Sequence, residues 1–190
     1  MARSLLIVPR WGGTPASDCY PWLLRSLSAE SPPAYASAQA LSMPRPEQPE
    51  VDAWVPALAE AARSVDASQT VLMGHSVGCQ AVLRYLAEQP EGRTFAGVLL
   101  VAAWWRVDQP WPSLLPWQEP VAELARARAA ARRFLVLLSD NDPFTSDHEE
   151  NGRLWRARLK AEVRLVPGAQ HFNRPEEPAV LEALRALATP

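Results

Sequence analysis

The residues able to do chemistry in this 190-residue chain gather in one short motif and two downstream loops. In Gly74-His75-Ser76-Val77-Gly78 a serine stands with a glycine two residues away on either side. With 8 Gly and 13 Ser in the chain, about 0.02 such matches are expected by chance. The residues before the serine, "TVLM", read as a strand, and those after it, "VGCQAVLRYLAEQ", read as a helix. A serine on a sharp strand-to-helix turn holds a strained backbone and presents its hydroxyl, and side chains in place of the glycines would collide with the adjoining elements. The helix N-terminus directs partial positive charge at the same spot, which favours an oxyanion there. Such a setting suits acyl transfer with Ser76 as nucleophile.

A serine hydroxyl needs a base within hydrogen-bond reach, and the base needs a third group to orient it. The chain has three histidines. His75 adjoins Ser76 in the turn and would point away from its hydroxyl, in a packing or backbone-bonding role. His148, in "SDHEEN", reads as the start of an exposed acidic helix. His171, in "VPGAQHFNRPEEP", lies in a loop between the last expected strand and the last helix, and is the expected base. The order Ser, then acid, then His belongs to α/β-hydrolases, and it places the acid in "LVLLSDNDPFTSD". Asp142 is favoured there because the following Pro143 holds it extended or in a turn just past a strand end. Asp140 reads alternatively as a turn former and Asp147 as a helix cap. For the oxyanion, Val77 offers the backbone N–H after the nucleophile. Trp11 offers a second, in "VPRWGGTP", where Gly12 and Gly13 permit a tight approach, although its indole could equally be a plug at the sheet edge.

These residues have to be carried by a scaffold, and the pattern predicts one. Apolar runs of strand length at 4–9, 36–41, 70–74, 96–102, 134–138 and 162–166 alternate with segments of helical period at 17–29, 51–64, 76–88, 119–131, 148–160 and 177–188. That is an α/β chain built on a parallel sheet, with 1–190 expected as one domain. The Pro-broken stretch 103–118 carries Trp104, Trp105, Trp111 and Trp117 directly after the fourth expected strand. Ligands of open parallel sheets bind at the C-terminal strand ends, so these four indoles are expected either to wall a substrate pocket or to pack over the sheet edge.

Composition excludes other classes. A net charge of -2 gives no reason to expect nucleic acid or an anionic membrane as partner, and Arg126, Arg128, Arg132 and Arg133 read as the solvated side of a helix. The apolar run near the start stops at Pro9, too short for a secretory signal, and "VLLVAAWW" at 98–105 is far below the roughly 20 residues of a membrane span. Cys19 and Cys79 match no metal or redox spacing, which fits a reduced, cytoplasmic location. No metal or organic cofactor is called for.

Taken with "IVPRWGG", "YPWL", "PWQ" at 116–118, "DPF" at 142–144 and "HF" at 171–172, the motif resembles the small serine hydrolases typified by the retinoblastoma-binding hydrolase of animals and its bacterial relatives. The resemblance implies an α/β-hydrolase fold reduced to six parallel strands in the order 2-1-3-4-5-6, with helices on both faces. It implies Ser76, Asp142 and His171 as the triad. Many relatives carry His-Gly where this chain has Pro9-Arg10, and His-Trp where it has Cys19-Tyr20, so Arg10 sets a long charged side chain beside the second oxyanion donor. The expected activity is cleavage of a small-molecule ester, thioester or amide. The alternatives are a protein-interaction module or a small-molecule receptor that keeps the hydrolase scaffold with little turnover.

Overall fold

The computed structural model describes residues 3–189. Six strands, β1 (Arg3–Val8), β2 (Tyr35–Ala40), β3 (Thr70–His75), β4 (Gly97–Val101), β5 (Phe134–Ser139) and β6 (Glu162–Val166), alternate with six helices. The helices are α1 (Tyr20–Ser28), α2 (Val51–Ala61), α3 (Val77–Ala87), α4 (Leu124–Ala129), α5 (His148–Leu159) and α6 (Pro178–Ala188). The strands form one sheet in the order β2-β1-β3-β4-β5-β6, and every neighbouring pair is parallel.

Alternation along the strands divides the apolar side chains between two cores. In register across the sheet, Leu6, Leu72, Val98 and Phe134 face one core with Trp54, Val55 and Leu58 of α2, nearly all of α3, Ala127 of α4 and Trp155 of α5. Leu5, Val71 and Leu135 face the other, with Tyr20, Leu23 and Leu27 of α1 and Val180, Leu184 and Leu187 of α6. Because β3, β4 and β5 are covered on both sides, every residue in them is buried, which is why their sequences read as unbroken apolar runs. Strands β2 and β6 lie at the edges, and most of their side chains are at least partly exposed.

Some boundaries differ from the sequence expectation, each for a local reason. Helix α1 begins at Tyr20 rather than 17 because Asp18 takes a φ of +52°, outside helical space, and Pro21 then fits the first turn. The helix expected over 119–131 shrinks to α4, since Glu119 is held extended at φ -60°, ψ 142° by the following Pro120. Within the Pro-broken stretch, residues 112–118 wind into a 3-10 helix. Since all strands point the same way, the loops after β1, β3, β4, β5 and β6 emerge along one edge of the sheet, where crevices for ligands form.

Candidate active site

Ser76 separates β3 from α3 with φ 54° and ψ -118°, a backbone conformation that costs an ordinary residue on the order of 1–3 kcal/mol. Packing holds it there. The Ser76 N–H donates to the Val101 carbonyl at 2.9 Å, and the Cys79 N–H donates back to the Ser76 carbonyl at 2.9 Å. A Cβ on Gly74 would lie 2.7 Å from the Cys79 backbone, and one on Gly78 would lie 2.4 Å from the Val8 carbonyl oxygen, so neither position has room for a side chain. The hydroxyl faces a cavity of about 130 Å³ that His171, Trp104 and Phe144 also line. Within it the Trp104 indole N–H donates to Ser76 Oγ at 3.4 Å, and among the described residues Oγ has no hydrogen bond to His171.

Asp142 and His171 meet across the loops that follow β5 and β6. Asp142 Oδ2 lies 2.8 Å from His171 Nδ1, and both side chains are buried. The other carboxylate oxygen accepts the Phe144 N–H at 2.9 Å, a local turn that Pro143 helps to fix and that aims Oδ2 at the imidazole. The ring edge of Phe144 then abuts His171, with centroids 4.7 Å apart. The neighbouring acids do other things. Asp140 accepts the Gly168 N–H at 2.8 Å, and Asn141 accepts the Gln170 N–H at 2.8 Å, so the loop bearing His171 is tied at two points to the loop bearing Asp142. Asp147 caps α5 by accepting the Glu150 N–H at 2.9 Å, and His148 starts that helix away from the cavity.

A buried chain of hydrogen bonds runs beneath these loops. His75 Nε2 lies 2.8 Å from the His171 carbonyl oxygen, which can only accept, so Nε2 carries the proton. Nδ1 is therefore the bare nitrogen and accepts the Tyr20 hydroxyl proton at 2.8 Å, while the Tyr20 oxygen accepts the Arg10 backbone N–H at 3.2 Å. Burial, followed by the electrostatic influence of the nearby His171 ring, lowers the His75 pKa to about 3, so this ring stays neutral. Burial likewise raises the Tyr20 pKa well above that of an exposed phenol and keeps its proton in place. The backbone of the first loop is thus coupled, through Tyr20 and His75, to the backbone of the loop that carries His171. Tyr20 enters from α1, 55 residues before His75, and nothing local in the sequence marks it for that position.

The first loop is shaped by a turn in which the Gly13 N–H donates to the Arg10 carbonyl at 2.9 Å, with Gly12 at φ +67° in the place that favours glycine. Arg10 does not reach across the cavity. Its guanidinium folds back onto Asp18 through Nε at 2.8 Å and Nη2 at 3.0 Å, and Nη1 donates to the Trp11 carbonyl at 2.8 Å. Among the described residues the backbone N–H groups of Trp11 and Val77 have no hydrogen-bond acceptor.

Of the four indoles expected either to wall a pocket or to pack over the sheet edge, Trp104 and Trp111 line the cavity with Ser76. Trp117 and Trp105 lie elsewhere. Trp117 is fully buried, its N–H on the Pro49 carbonyl at 2.9 Å and its ring edge against Trp54. Trp105 stacks on Trp155 at 4.4 Å with the Arg158 guanidinium over its face. Trp11 also lines the cavity, Val107 and Leu114 add to its apolar wall, and Arg10 and Asn173 contribute polar lining.

A family model described as serine hydrolase matches residues 5–186. The chain belongs to the serine hydrolase family. This serine hydrolase is 28% identical over 102 residues to YdeN of Bacillus subtilis, a protein named for a hydrolase. The match spans about half of both proteins, 54% of this chain and 51% of YdeN. The crystal structure of the ydeN gene product from B. subtilis superposes with a TM-score of 0.84 at 20% identity, covering 100% of both chains. The type II thioesterase BorB of the borrelidin biosynthetic cluster gives a TM-score of 0.65 at 20% identity, over 99% of this chain and 92% of its own. The monoacylglycerol lipase of Paleococcus ferrophilus gives 0.68 at 16% identity, over 97% and 94%. At these identities the likeness establishes the fold, and this serine hydrolase has the α/β-hydrolase architecture.

Proposed function

We propose that this serine hydrolase cleaves a small-molecule ester, thioester or amide through an acyl-enzyme on Ser76, with His171 as base and Asp142 as its orienting acid. The observation that carries the reading is the buried 2.8 Å contact between His171 Nδ1 and Asp142 Oδ2, beside a cavity that Ser76 shares. Asp142 fixes the tautomer that leaves His171 Nε2 bare, and it stabilises the imidazolium once formed. Ser76 Oγ attacks the carbonyl carbon as its proton passes to Nε2. The Ser76–His171 hydrogen bond forms at that stage, since catalytic hydrogen bonds in an empty site commonly tighten only when substrate binds.

The negative charge that develops on the carbonyl oxygen is met by the N–H groups of Val77 and Trp11, with the N-terminal end of α3 adding its dipole. His171 returns the proton to the leaving group as the acyl-enzyme forms. Water then attacks the acyl carbon with His171 again as base, and Ser76 recovers its proton as the acid departs. The indole N–H of Trp104 on Ser76 Oγ restricts the hydroxyl's rotation before attack. No step draws on a metal or an organic cofactor, and residues 1–190 act as one hydrolase domain. The thioesterase and the lipase among the structural neighbours keep both thioesters and oxygen esters within the substrate class.

Steady-state kinetics on p-nitrophenyl acetate and butyrate test the assignment. Asp142→Asn is expected to lower kcat by about 10⁴-fold, as loss of the orienting acid does elsewhere, whereas Asp140→Asn lowers it far less. Equal effects of the two substitutions, or full activity in Ser76→Ala, would contradict the reading.

A further inference from the structure

Two spaces meet at the Trp11–Trp111 pair. On the inner side is the cavity of about 130 Å³ that holds Ser76 and His171. On the outer side is an open groove of about 960 Å³ along α2, walled by Pro49, Val51, Val55 and Pro56, with Glu47 and Glu50 among the acidic residues that also line it. Trp11 and Trp111 are common to both walls. Their rings stack 5.3 Å apart at an interplanar angle of 10°, and Trp111 continues the aromatic row to Phe144 at 5.6 Å, which abuts His171. The Trp11 indole is held by a hydrogen bond to Ser113 Oγ at 3.2 Å, on the turn of 3-10 helix that follows Trp111. Trp111 itself is 42% exposed, so its ring stands as a divider and not as a core side chain.

We propose that this stacked pair is a partition that limits the acyl group to what the inner cavity holds, which makes short-chain acyl compounds the substrate class. The proposal rests on Ser76 being the nucleophile. An apolar cavity of about 150 Å³ accepts a benzene-sized guest, so the space here takes an acyl tail of roughly three to five carbons. A longer tail meets the indole faces. Removing the Trp111 ring joins the cavity to the groove and gives the additional methylenes an apolar wall of prolines and valines to lie on.

The test measures covalent modification by ethyl p-nitrophenyl alkylphosphonates with methyl, butyl and octyl chains, in the wild type, Trp111→Ala and Leu115→Ala. In each reaction Ser76 Oγ forms a bond to phosphorus, p-nitrophenolate leaves, and the hydroxyl proton passes to His171, so nitrophenolate release and the mass increase report the same event. The wild type is expected to react faster with the butyl than with the octyl compound. Each buried methylene is worth about fourfold, so Trp111→Ala is expected to raise the octyl-to-butyl ratio of rate constants by about tenfold to two-hundredfold. Leu115, exposed on the same 3-10 helix, should leave that ratio unmoved when replaced. An octyl-to-butyl ratio unchanged in Trp111→Ala, or a wild type that already prefers octyl, would overturn the partition while leaving Ser76 as nucleophile. Absence of labelling at every chain length would overturn both.

Discussion

Replacing His75 by glutamine separates the work of the buried imidazole from that of His171. The pKa of His75 falls from 6.5 to about 3, so its folded form resists a proton that the unfolded chain accepts. Between those two values the unfolded state binds more protons than the folded one, so stability rises with pH. The contribution is complete above about 6.5 and is lost progressively as pH falls toward 3. Each pH unit well inside that window is worth about 1.36 kcal/mol, which gives about 2.7 kcal/mol lost between pH 7.5 and 4.5. Glutamine keeps an N–H that can reach the His171 carbonyl and does not titrate. Urea unfolding of wild type and His75→Gln at pH 7.5 and 4.5 measures the difference, and all other titrating groups are common to both proteins and cancel. The wild type is expected to lose about 2–3 kcal/mol more than the variant over that interval. Equal losses, within about 0.5 kcal/mol, would refute the neutral, hydrogen-bonded state of His75 on which the chain from Arg10 to His171 depends.

Three further outcomes follow from the packing. Gly78→Ala places a methyl group 2.4 Å from the Val8 carbonyl oxygen, deep between β1 and α3, so the variant is expected to lose several kcal/mol or fail to fold, read as a fall in Tm or in soluble yield. Burial raises the Cys19 thiol to about 12 and that of Cys79 higher still, so a chromogenic disulfide reagent at pH 8 should find no reactive thiol in the native protein and both in denaturant. Tyr20→Phe removes the hydroxyl that joins Arg10 to His75 in the buried chain. It is expected to lower kcat for p-nitrophenyl butyrate by about tenfold with a smaller change in KM, and wild-type kcat in that variant would contradict a positioning role.

Legibility in the sequence followed how local each cause is. The turn at Ser76 was readable because two glycines, a strand and a helix sit within sixteen residues, and the crowding at Gly74 and Gly78 explains why no other residue type fits. Asp142 stood out from Asp140 through Pro143, and the same local turn aims its carboxylate at His171. Strand β2 gave a faint signal because, as an edge strand, it buries little beyond Tyr35. Helix α4 is shorter than its helical period suggests because Glu119, ahead of Pro120, is held extended and the helix starts only at Leu124, while the Ala- and Arg-rich run goes on beyond its last residue, Ala129. The long-range features were not readable. That Trp104 and Trp111 face Ser76 while Trp117 enters the core and Trp105 stacks on Trp155 depends on how residues 102–118 cross the sheet edge, starting from Ala102 at φ +48°. The Tyr20–His75 pairing joins α1 to the nucleophile turn and the Arg10–Asp18 fork joins the loop after β1 to the approach to α1, and no spacing in the chain announces them.

The most direct measurement is intact-mass and peptide-mapping analysis after exposure of the folded protein to a fluorophosphonate, in which Ser76 Oγ displaces fluoride from phosphorus and gives its proton to His171. One adduct per chain, mapped to Ser76, absent in Ser76→Ala and greatly slowed in His171→Ala, is the predicted result. A folded protein that acquires no adduct, or one that carries it on another residue, would contradict an acyl-enzyme at Ser76.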